Sequence, residues 1–411
     1  MDTVAPRPLR YVWLVVALLF PVALLNYLDR QMLATMKSSI VQSVPGITSD
    51  AQWGLLLASF KWVYAGLSPV GGYIADRFSR RHVIVISLFT WSAVTFWTGQ
   101  VHSYQELLIA RGLMGVSEAF YIPAALALIS DFHQGTTRSR AIGFHQTGIY
   151  FGLILGGFAG YVADAPQLGW RWAFGAAGLL GVAYALPLFF LLRNPERPLD
   201  STATSLTPLR AVGELFSNRN YLLLVLYFTL PAIAGWVIKD WMPVILKEQF
   251  KLTQGAAGVI AVLYVQIATI GGALLGGALA DRWTKRTPRG RIYVSAIGMT
   301  LFLPALFGLG NPGTVALAIV FLVLFGIGWG FFDCNNMPIL CQLTRPELRA
   351  TGYGFMNLVS ISCGGFGDWG FGMLKSQGVA LSLIFGCFTG VALLSVFIVL
   401  LIRPQGEKTD A

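Results

Sequence analysis

The sequence predicts an all-α membrane protein with twelve transmembrane helices in two six-helix bundles. Three observations predict this fold class. First, 55% of the 411 residues are hydrophobic and 12% are charged, whereas a soluble protein carries about 25% charged residues. Second, the hydrophobic residues fall in blocks of roughly 20 residues, the length that spans a bilayer as a helix. Third, landmarks of the first half of the chain recur in the same order in the second half.

Hydrophobic blocks follow one another along the whole chain, and each predicts one transmembrane helix. They cover residues 11–36, 52–75, 82–100, 104–130, 139–163, 171–193, 219–246, 255–280, 291–309, 314–338, 347–372 and 378–402. The first block is too long for a cleavable signal peptide and contains charged residues. We therefore expect an N-terminal six-helix bundle at residues 1–193, a cytoplasmic linker at 194–218 and a C-terminal six-helix bundle at 219–411.

The distribution of positive charge predicts the orientation in the membrane. Most of the 29 lysines and arginines lie in the N-terminus, in the loops after even-numbered blocks and in the C-terminus. The positive-inside rule then places both termini in the cytoplasm, and we expect an integral protein of the bacterial inner membrane. The net charge of +10 thus indicates topology and not a nucleic-acid partner.

Several classes of function are disfavoured by the motifs. The sequence contains no Gly-x-Ser-x-Gly, His-Glu-x-x-His or phosphate-binding loop, so an enzyme is not expected. Its four cysteines show no metal-ligand spacing. We expect neither a cofactor nor a bound metal, and we expect a monomer that contacts membrane lipids.

The clearest internal repeat is a Gly-x-x-x-Asp-Arg element at the ends of blocks two and eight. Its residues are Gly72, Asp76 and Arg77 in the first half and Gly277, Asp281 and Arg282 in the second. Glycine lets helices approach, and an aspartate is favoured near a neighbouring helix N-terminus. We interpret the six residues as a conformational latch. A six-helix period gives both halves the same orientation, which is a parallel repeat with a site between the bundles.

This paired element, followed by basic residues, resembles the signature of the major facilitator superfamily. The resemblance extends along the whole chain. It implies the fold of that superfamily and transport by alternating access.

Charged residues inside blocks one and four predict a polar interior site. A charge within a membrane costs roughly 2.5–3.5 kcal/mol on insertion scales, so Asp29, Arg30, Arg111 and Glu118 should pair or line a cavity. Arg111 and Glu118 are seven residues apart and lie on one helix face. We expect Asp29 to pair with Arg111 and Arg30 to lie near Glu118. The alternative is that these residues are structural ion pairs that hold two helices together.

The same residues resemble the anion:cation symporter family. Its pattern is present as Asn-Tyr-Leu-Asp-Arg at 26–30, Arg-x-x-x-Gly-x-x-Glu at 111–118 and Phe-x-Trp-x-Tyr at 60–64. Members of that family carry sugar acids and other organic anions, many driven by protons. The resemblance implies that Arg30 holds the substrate carboxylate. The proton-coupling residues would be Asp29, Glu118 and Arg111. With the polar residues of other blocks, the candidate substrate contacts are Arg30, Tyr27, Lys61, Tyr64, Gln146, Asn335 and Asn357.

The leading expectation for function is proton-coupled symport of a small organic anion, such as a hexuronate or aldonate. Spinster-type lipid or lysolipid transporters share the pattern of the first and fourth helices, so they remain an alternative. A neutral-solute facilitator is a further alternative. Lys61 is either a second positive contact for the anion or the partner of an acid, and Lys239, Asp240 and Asp368 are unusual charges for the family.

Block five carries two features with open interpretations. Four glycines at four-residue spacing, Gly148 to Gly160, form a ridge that permits close helix packing, and we expect it to pack against Gly272 and Gly276 of block eight. His145 is either a proton relay or a packed histidine.

Overall fold

The computed structural model describes residues 9–133, 137–194, 208–345 and 348–404, and these are helical without a strand. The helices are α1 (Leu9–Thr35), α2 (Lys37–Ser43), α3 (Asp50–Arg77), α4 (Arg80–Thr98), α5 (Tyr104–Glu118), α6 (Tyr121–Phe132), α7 (Arg138–Asp164), α8 (Gly169–Leu191), α9 (Pro208–Ser217), α10 (Arg219–Phe250), α11 (Gln254–Thr284), α12 (Gly290–Leu309), α13 (Val315–Leu343), α14 (Arg349–Ser376) and α15 (Leu381–Leu401). The all-α fold class is therefore confirmed.

The number of membrane spans is a separate question from the fold class. Among the described residues, eight helices are long and apolar enough to cross a membrane. Helices satisfy all of their backbone hydrogen bonds internally, which a bilayer requires. The count of twelve spans stays a prediction. Within the predicted linker 194–218, residues 195–207 lie outside the described residues, and α9 occupies most of the remainder.

Side-chain caps fix the starts of several long helices. Ser79 precedes α4 and accepts a hydrogen bond from the His82 amide, and Thr314 does the same for α13. Ser103 precedes α5 and accepts from the amide of Glu106. These hydroxyl groups satisfy backbone donors that have no partner within the helix. The sequence thus sets where these spans begin.

A proline divides the fourth hydrophobic block into two helices. α5 ends at Glu118, and α6 begins at Tyr121 with Pro123 as its third residue. Pro123 has no amide hydrogen to donate to the Ala119 carbonyl, and its ring crowds that carbonyl. Proline is tolerated in the first turn of a helix, so α6 continues. The break places the Glu118 carboxylate at the C-terminal end of α5.

The chain forms two compact units. Unit 1 comprises Met1–Ile47, Gly66–Ser201 and Thr253–Gly258, and unit 2 comprises Thr48–Ala65, Thr202–Leu252 and Val259–Ala411. Helix α3 passes from unit 2 into unit 1 between residues 65 and 66. The division at 194–218 into two bundles stays a prediction.

The glycine ridge of α7 packs differently from the expectation. A methyl group added at Gly152 would lie 2.2 Å from the Leu24 carbonyl oxygen of α1. Gly160, at the far end of the ridge, meets the start of α11. In unit 2, a methyl group at Gly272 would lie 2.4 Å from the Ile327 carbonyl oxygen of α13. The predicted contact between the two glycine ridges is therefore wrong, because small residues allow a close approach without specifying the partner helix.

Candidate functional site

An ion pair between α1 and α5 forms the centre of the site in unit 1. Arg30 Nη2 lies 2.5 Å from Glu118 Oε2, and Arg30 Nε donates to the same oxygen at 2.5 Å. The exposed fractions of the two side chains are 8% and 0%. Charge-assisted hydrogen bonds of this kind are among the strongest in proteins. The structure thus places Arg30 beside Glu118, as the sequence predicted.

Asp29 accepts a hydrogen bond from α4, and its expected pairing with Arg111, whose charge interacts with it, stays a prediction. Thr95 Oγ1 of α4 donates a hydrogen bond of 3.0 Å to Asp29 Oδ2. Among the described residues, Asp29 Oδ1 is buried without a hydrogen-bond partner, and Arg111 Nη1 lies 3.0 Å from Met114 Sδ. Neighbouring residues of a helix point about 100° apart, so Asp29 faces α4 while its neighbour faces α5. The sequence did not show which helix would be opposite Asp29.

The guanidinium of Arg30 also covers an aromatic ring. Its carbon lies 4.7 Å from the centroid of the Tyr27 ring, one turn earlier on α1. A cation over an aromatic face is attracted by the ring electrons. Arg30 is thus held by the Tyr27 ring as well as by Glu118. The role of Tyr27 as a substrate contact stays a prediction.

Helix α7 of unit 1 contributes a buried histidine. His145 Nε2 lies 2.8 Å from the Tyr121 hydroxyl oxygen, and that hydroxyl lies 3.2 Å from the Leu19 carbonyl oxygen. These contacts hold the ring in place, and the proton relay and the packed histidine both stay predictions for His145. The adjacent Gln146 is half-buried, and its predicted contact with substrate stays a prediction.

In unit 2, the predicted substrate contact Lys61 is bound by two acids. Lys61 Nζ lies 2.5 Å from Asp240 Oδ2 of α10 and also contacts Asp368 Oδ2 of α14. Tyr64, one turn later on α3, is buried with its ring centroid 5.8 Å from that of Phe60. Of the two alternatives for Lys61, the structure shows the pairing with acids.

The two predicted asparagines of unit 2 differ in their surroundings. Asn335 is fully buried. Its amide nitrogen donates to the Phe331 carbonyl oxygen at 2.9 Å, and its amide oxygen accepts from Arg291 at 3.3 Å. Asn357 is half-buried on α14. Asn335 is thus held by protein groups, and the substrate-binding role of both residues stays a prediction.

The latch residues are described only in part. The side chains of Gly72 and Asp76 lie outside the described residues. The Arg77 guanidinium lies 5.2 Å from the centroid of the Tyr73 ring.

In the second copy of the element, Asp281 forms an ion pair with Arg291 of α12, while Arg282 is exposed. A methyl group at Gly277 would meet no heavy atom within 4 Å, so close helix packing does not require this glycine here. The sequence did not identify Arg291 as the partner of Asp281, since the two residues belong to different helices. The latch role stays a prediction.

Long apolar helices with buried ion pairs are typical of polytopic membrane proteins. The family model described as Major Facilitator Superfamily matches residues 19–367, and the chain belongs to that superfamily. It is a transporter and not an enzyme.

Relatives with similar sequences carry the name spinster. Protein spinster homolog 1 of Xenopus tropicalis is 29% identical over 378 residues, which are 86% of this chain and 71% of the relative. The human protein spinster homolog 1 is 28% identical over 385 residues, 86% of this chain and 71% of the relative. Of the two families named from the sequence, the spinster resemblance is therefore the better supported.

A solved structure of a bacterial homolog of the human lysosomal transporter Spinster, in an inward-facing and unoccupied conformation, superposes with a TM-score of 0.79. The two chains are 20% identical, and the match covers 96% of each. This similarity supports the fold.

Proposed function

We propose that this chain is a proton-coupled secondary transporter of an amphipathic organic anion of the lysolipid class. The observation that carries the proposal is the buried ion pair between Arg30 and Glu118. A buried ion pair is a poor stabiliser compared with apolar packing. Its presence in a membrane helix bundle therefore favours a role in which the pair is exchanged during transport.

The exchange follows from the charges around Arg30. Arg30 and Arg111 carry two positive charges, and Asp29 and Glu118 carry two negative charges, so the empty site is balanced. A proton bound by Glu118 removes one negative charge and releases the guanidinium of Arg30. A phosphate or carboxylate group of the substrate then forms the charge-assisted hydrogen bonds that Glu118 gave up. The proton and the anion thus enter the site together without net charge.

The class of substrate is supported by the spinster relatives and not by the ion pair. Any anion can replace Glu118 at Arg30. The spinster-type lipid transporters share the pattern of charges in the first and fourth helices, which is why we place a lysolipid ahead of a sugar acid.

A sugar acid is the second candidate, and two polar side chains favour it. Gln146 of unit 1 and Asn357 of unit 2 are half-buried, and neither makes a hydrogen bond within the described part of the chain. An amide without a protein partner suits a substrate hydroxyl group better than an acyl chain.

Uptake by purified protein in proteoliposomes tests both candidates. The substrates are lysophosphatidylglycerol, gluconate and glucuronate. Each is added to the external medium, whose pH is lower than that inside the proteoliposomes. We expect lysophosphatidylglycerol to accumulate, and we expect Arg30→Ala to abolish this accumulation. Accumulation of a sugar acid without transport of the lysolipid would establish the second candidate instead.

A further inference from the structure

A second group of buried charges lies in unit 2 and shares no residue with the Arg30–Glu118 pair. Lys61 of α3 lies between Asp240 of α10 and Asp368 of α14. The exposed fractions of these side chains are 4%, 10% and 0%. We call these three residues the Lys61 triad. It joins three helices through one ammonium group.

An aromatic ring adjoins the triad. Lys61 Nζ lies 4.4 Å from the centroid of the Trp236 ring, and Lys239 Nζ lies 4.9 Å from the same ring. The indole face favours a cation, which offsets part of the cost of its burial. Lys239 is therefore a second cation close to the Trp236 ring.

Helices α3 and α14 are in close contact on both sides of Lys61 in the sequence of α3. A methyl group added at Gly54 would lie 2.6 Å from the Asp368 carbonyl oxygen. Trp62 Nε1 donates a hydrogen bond of 3.2 Å to the Ser362 carbonyl oxygen, and a methyl group at Gly365 would lie 2.6 Å from Trp62 Nε1. The first half of α3, residues 50–65, is thus fitted against α14 with little free space.

A second lysine-centred cluster connects the same three helices. Lys375 of α14 lies 2.6 Å from Asp50 of α3 and 2.9 Å from Glu248 of α10. The lysine and the two acids have exposed fractions of 16%, 22% and 53%. The side chains of this cluster are more exposed to solvent than those of the Lys61 triad. It has the same composition, one lysine and two carboxylates, and so provides a matched control.

The two acids of the triad share one ammonium group. Asp240 Oδ2 and Asp368 Oδ2 both contact Lys61 Nζ, so the two carboxyl groups lie close to each other. Asp368 Oδ1 is buried without a hydrogen-bond partner in the described part of the chain. Two carboxylates this close repel each other as long as both are ionised. A proton bound by Asp368 removes this repulsion and neutralises its buried carboxyl group.

We propose that the Lys61 triad is a second proton-binding site of this transporter and that the bound proton fastens the first half of α3 to α10 and α14. The proton comes from water, and it forms an O–H bond on the Asp240–Asp368 pair. When it leaves, the two carboxylates repel and the helices separate. The inference goes beyond the proposed function, because it needs no cargo and uses none of the residues around Arg30.

Infrared difference spectroscopy of the full chain detects this proton directly. The spectrum of purified protein in acidic buffer minus that in alkaline buffer contains the carbonyl stretch of each carboxyl group that gains a proton. We expect one such band to be lost in Asp368→Asn and in Asp240→Asn and to persist in the control Asp50→Asn. A spectrum of Asp368→Asn with every carboxyl band of the unmodified protein would overturn the proposal.

A distance measurement tests the fastening. Spin labels at positions 51 and 377, in a background whose four cysteines are serine, report the separation of α3 from the end of α14. We expect a short distance in acid and an added longer population in alkaline buffer, whereas Asp368→Asn should keep the short distance at both pH values. A distance independent of pH in the parent protein would refute the fastening.

A third variant distinguishes the effect of the bound proton from the effect of the Lys61 ammonium group on the distance between the helices. Lys61→Met removes the ammonium group and leaves both carboxylates, so we expect its longer population to grow in alkaline buffer beyond that of the parent. The control Glu248→Gln in the more exposed cluster should follow the parent. A Lys61→Met protein with the parent's distances at both pH values would show that the triad does not hold the helices. Loss of lysolipid transport alone would change neither measurement.

Discussion

Replacing Glu118 with glutamine is expected to separate substrate exchange from proton-driven accumulation. The amide of glutamine keeps an oxygen that accepts a hydrogen bond from Arg30, but it does not bind a proton near neutral pH. The variant therefore resembles the protonated site permanently. The anion should still enter and leave, because Arg30 is no longer held by a negative charge.

The size of the effect follows from the number of protons that the site loses. Glu118 is one carboxylate, so the variant loses one proton per transport cycle. A proton gradient of one pH unit is worth about 1.4 kcal/mol per proton, or about a tenfold concentration ratio of substrate. We expect the accumulation ratio of the variant to fall by about tenfold for each unit of imposed gradient.

Folding stability must be followed alongside transport. Removing one partner of a buried ion pair costs roughly 3–5 kcal/mol when nothing replaces it. Because glutamine leaves an acceptor for Arg30, we expect a smaller loss, seen as a modest fall in Tm. Thermal unfolding in the detergent used for purification measures it.

The assay compares two modes of uptake in the same proteoliposomes. Counterflow, without a proton gradient, reports exchange, and net uptake against an imposed pH difference reports coupling. The control is Glu106→Gln, at the start of the same helix, where the carboxylate caps the His102 amide at 2.8 Å and glutamine also serves as a cap. Undiminished proton-driven accumulation by Glu118→Gln would refute the role of Glu118 in coupling.

Three further results are expected. Arg30→Lys keeps the charge but loses the planar fork of donors, so counterflow should show an affinity about tenfold weaker, equal to about 1.4 kcal/mol, and an unchanged affinity would contradict the role of Arg30. Pro123→Ala restores an amide that can donate to the Ala119 carbonyl oxygen, and we expect transport to fall while Tm stays equal or rises. Asp164→Ala removes the carboxylate that accepts a 3.0 Å hydrogen bond from the Gly255 amide at the start of α11. We expect the free energy of unfolding to fall by about 1 kcal/mol. Tm should therefore fall, while the proton-to-substrate ratio should not change.

The sequence alone determined the features that depend on composition and on order along the chain. Long apolar blocks require helices, because a bilayer offers no partner for free backbone groups. The interruption before Pro123 was not predicted, and only the structure showed α5 ending at Glu118. The placement of Arg30 near Glu118 followed from the cost of charges within the membrane. These are properties of single helices or of groups that have no alternative to pairing.

Only the tertiary structure decided which helix faces which. Asp29 accepts a hydrogen bond from Thr95, and the α7 glycine ridge packs against α1. Lys61 meets acids that lie 179 and 307 residues later in the chain. A buried charge requires an oppositely charged or polar neighbour, and a glycine allows a close one, but several helices can provide that neighbour. The choice depends on the packing of all the helices at once, which no local stretch of sequence contains.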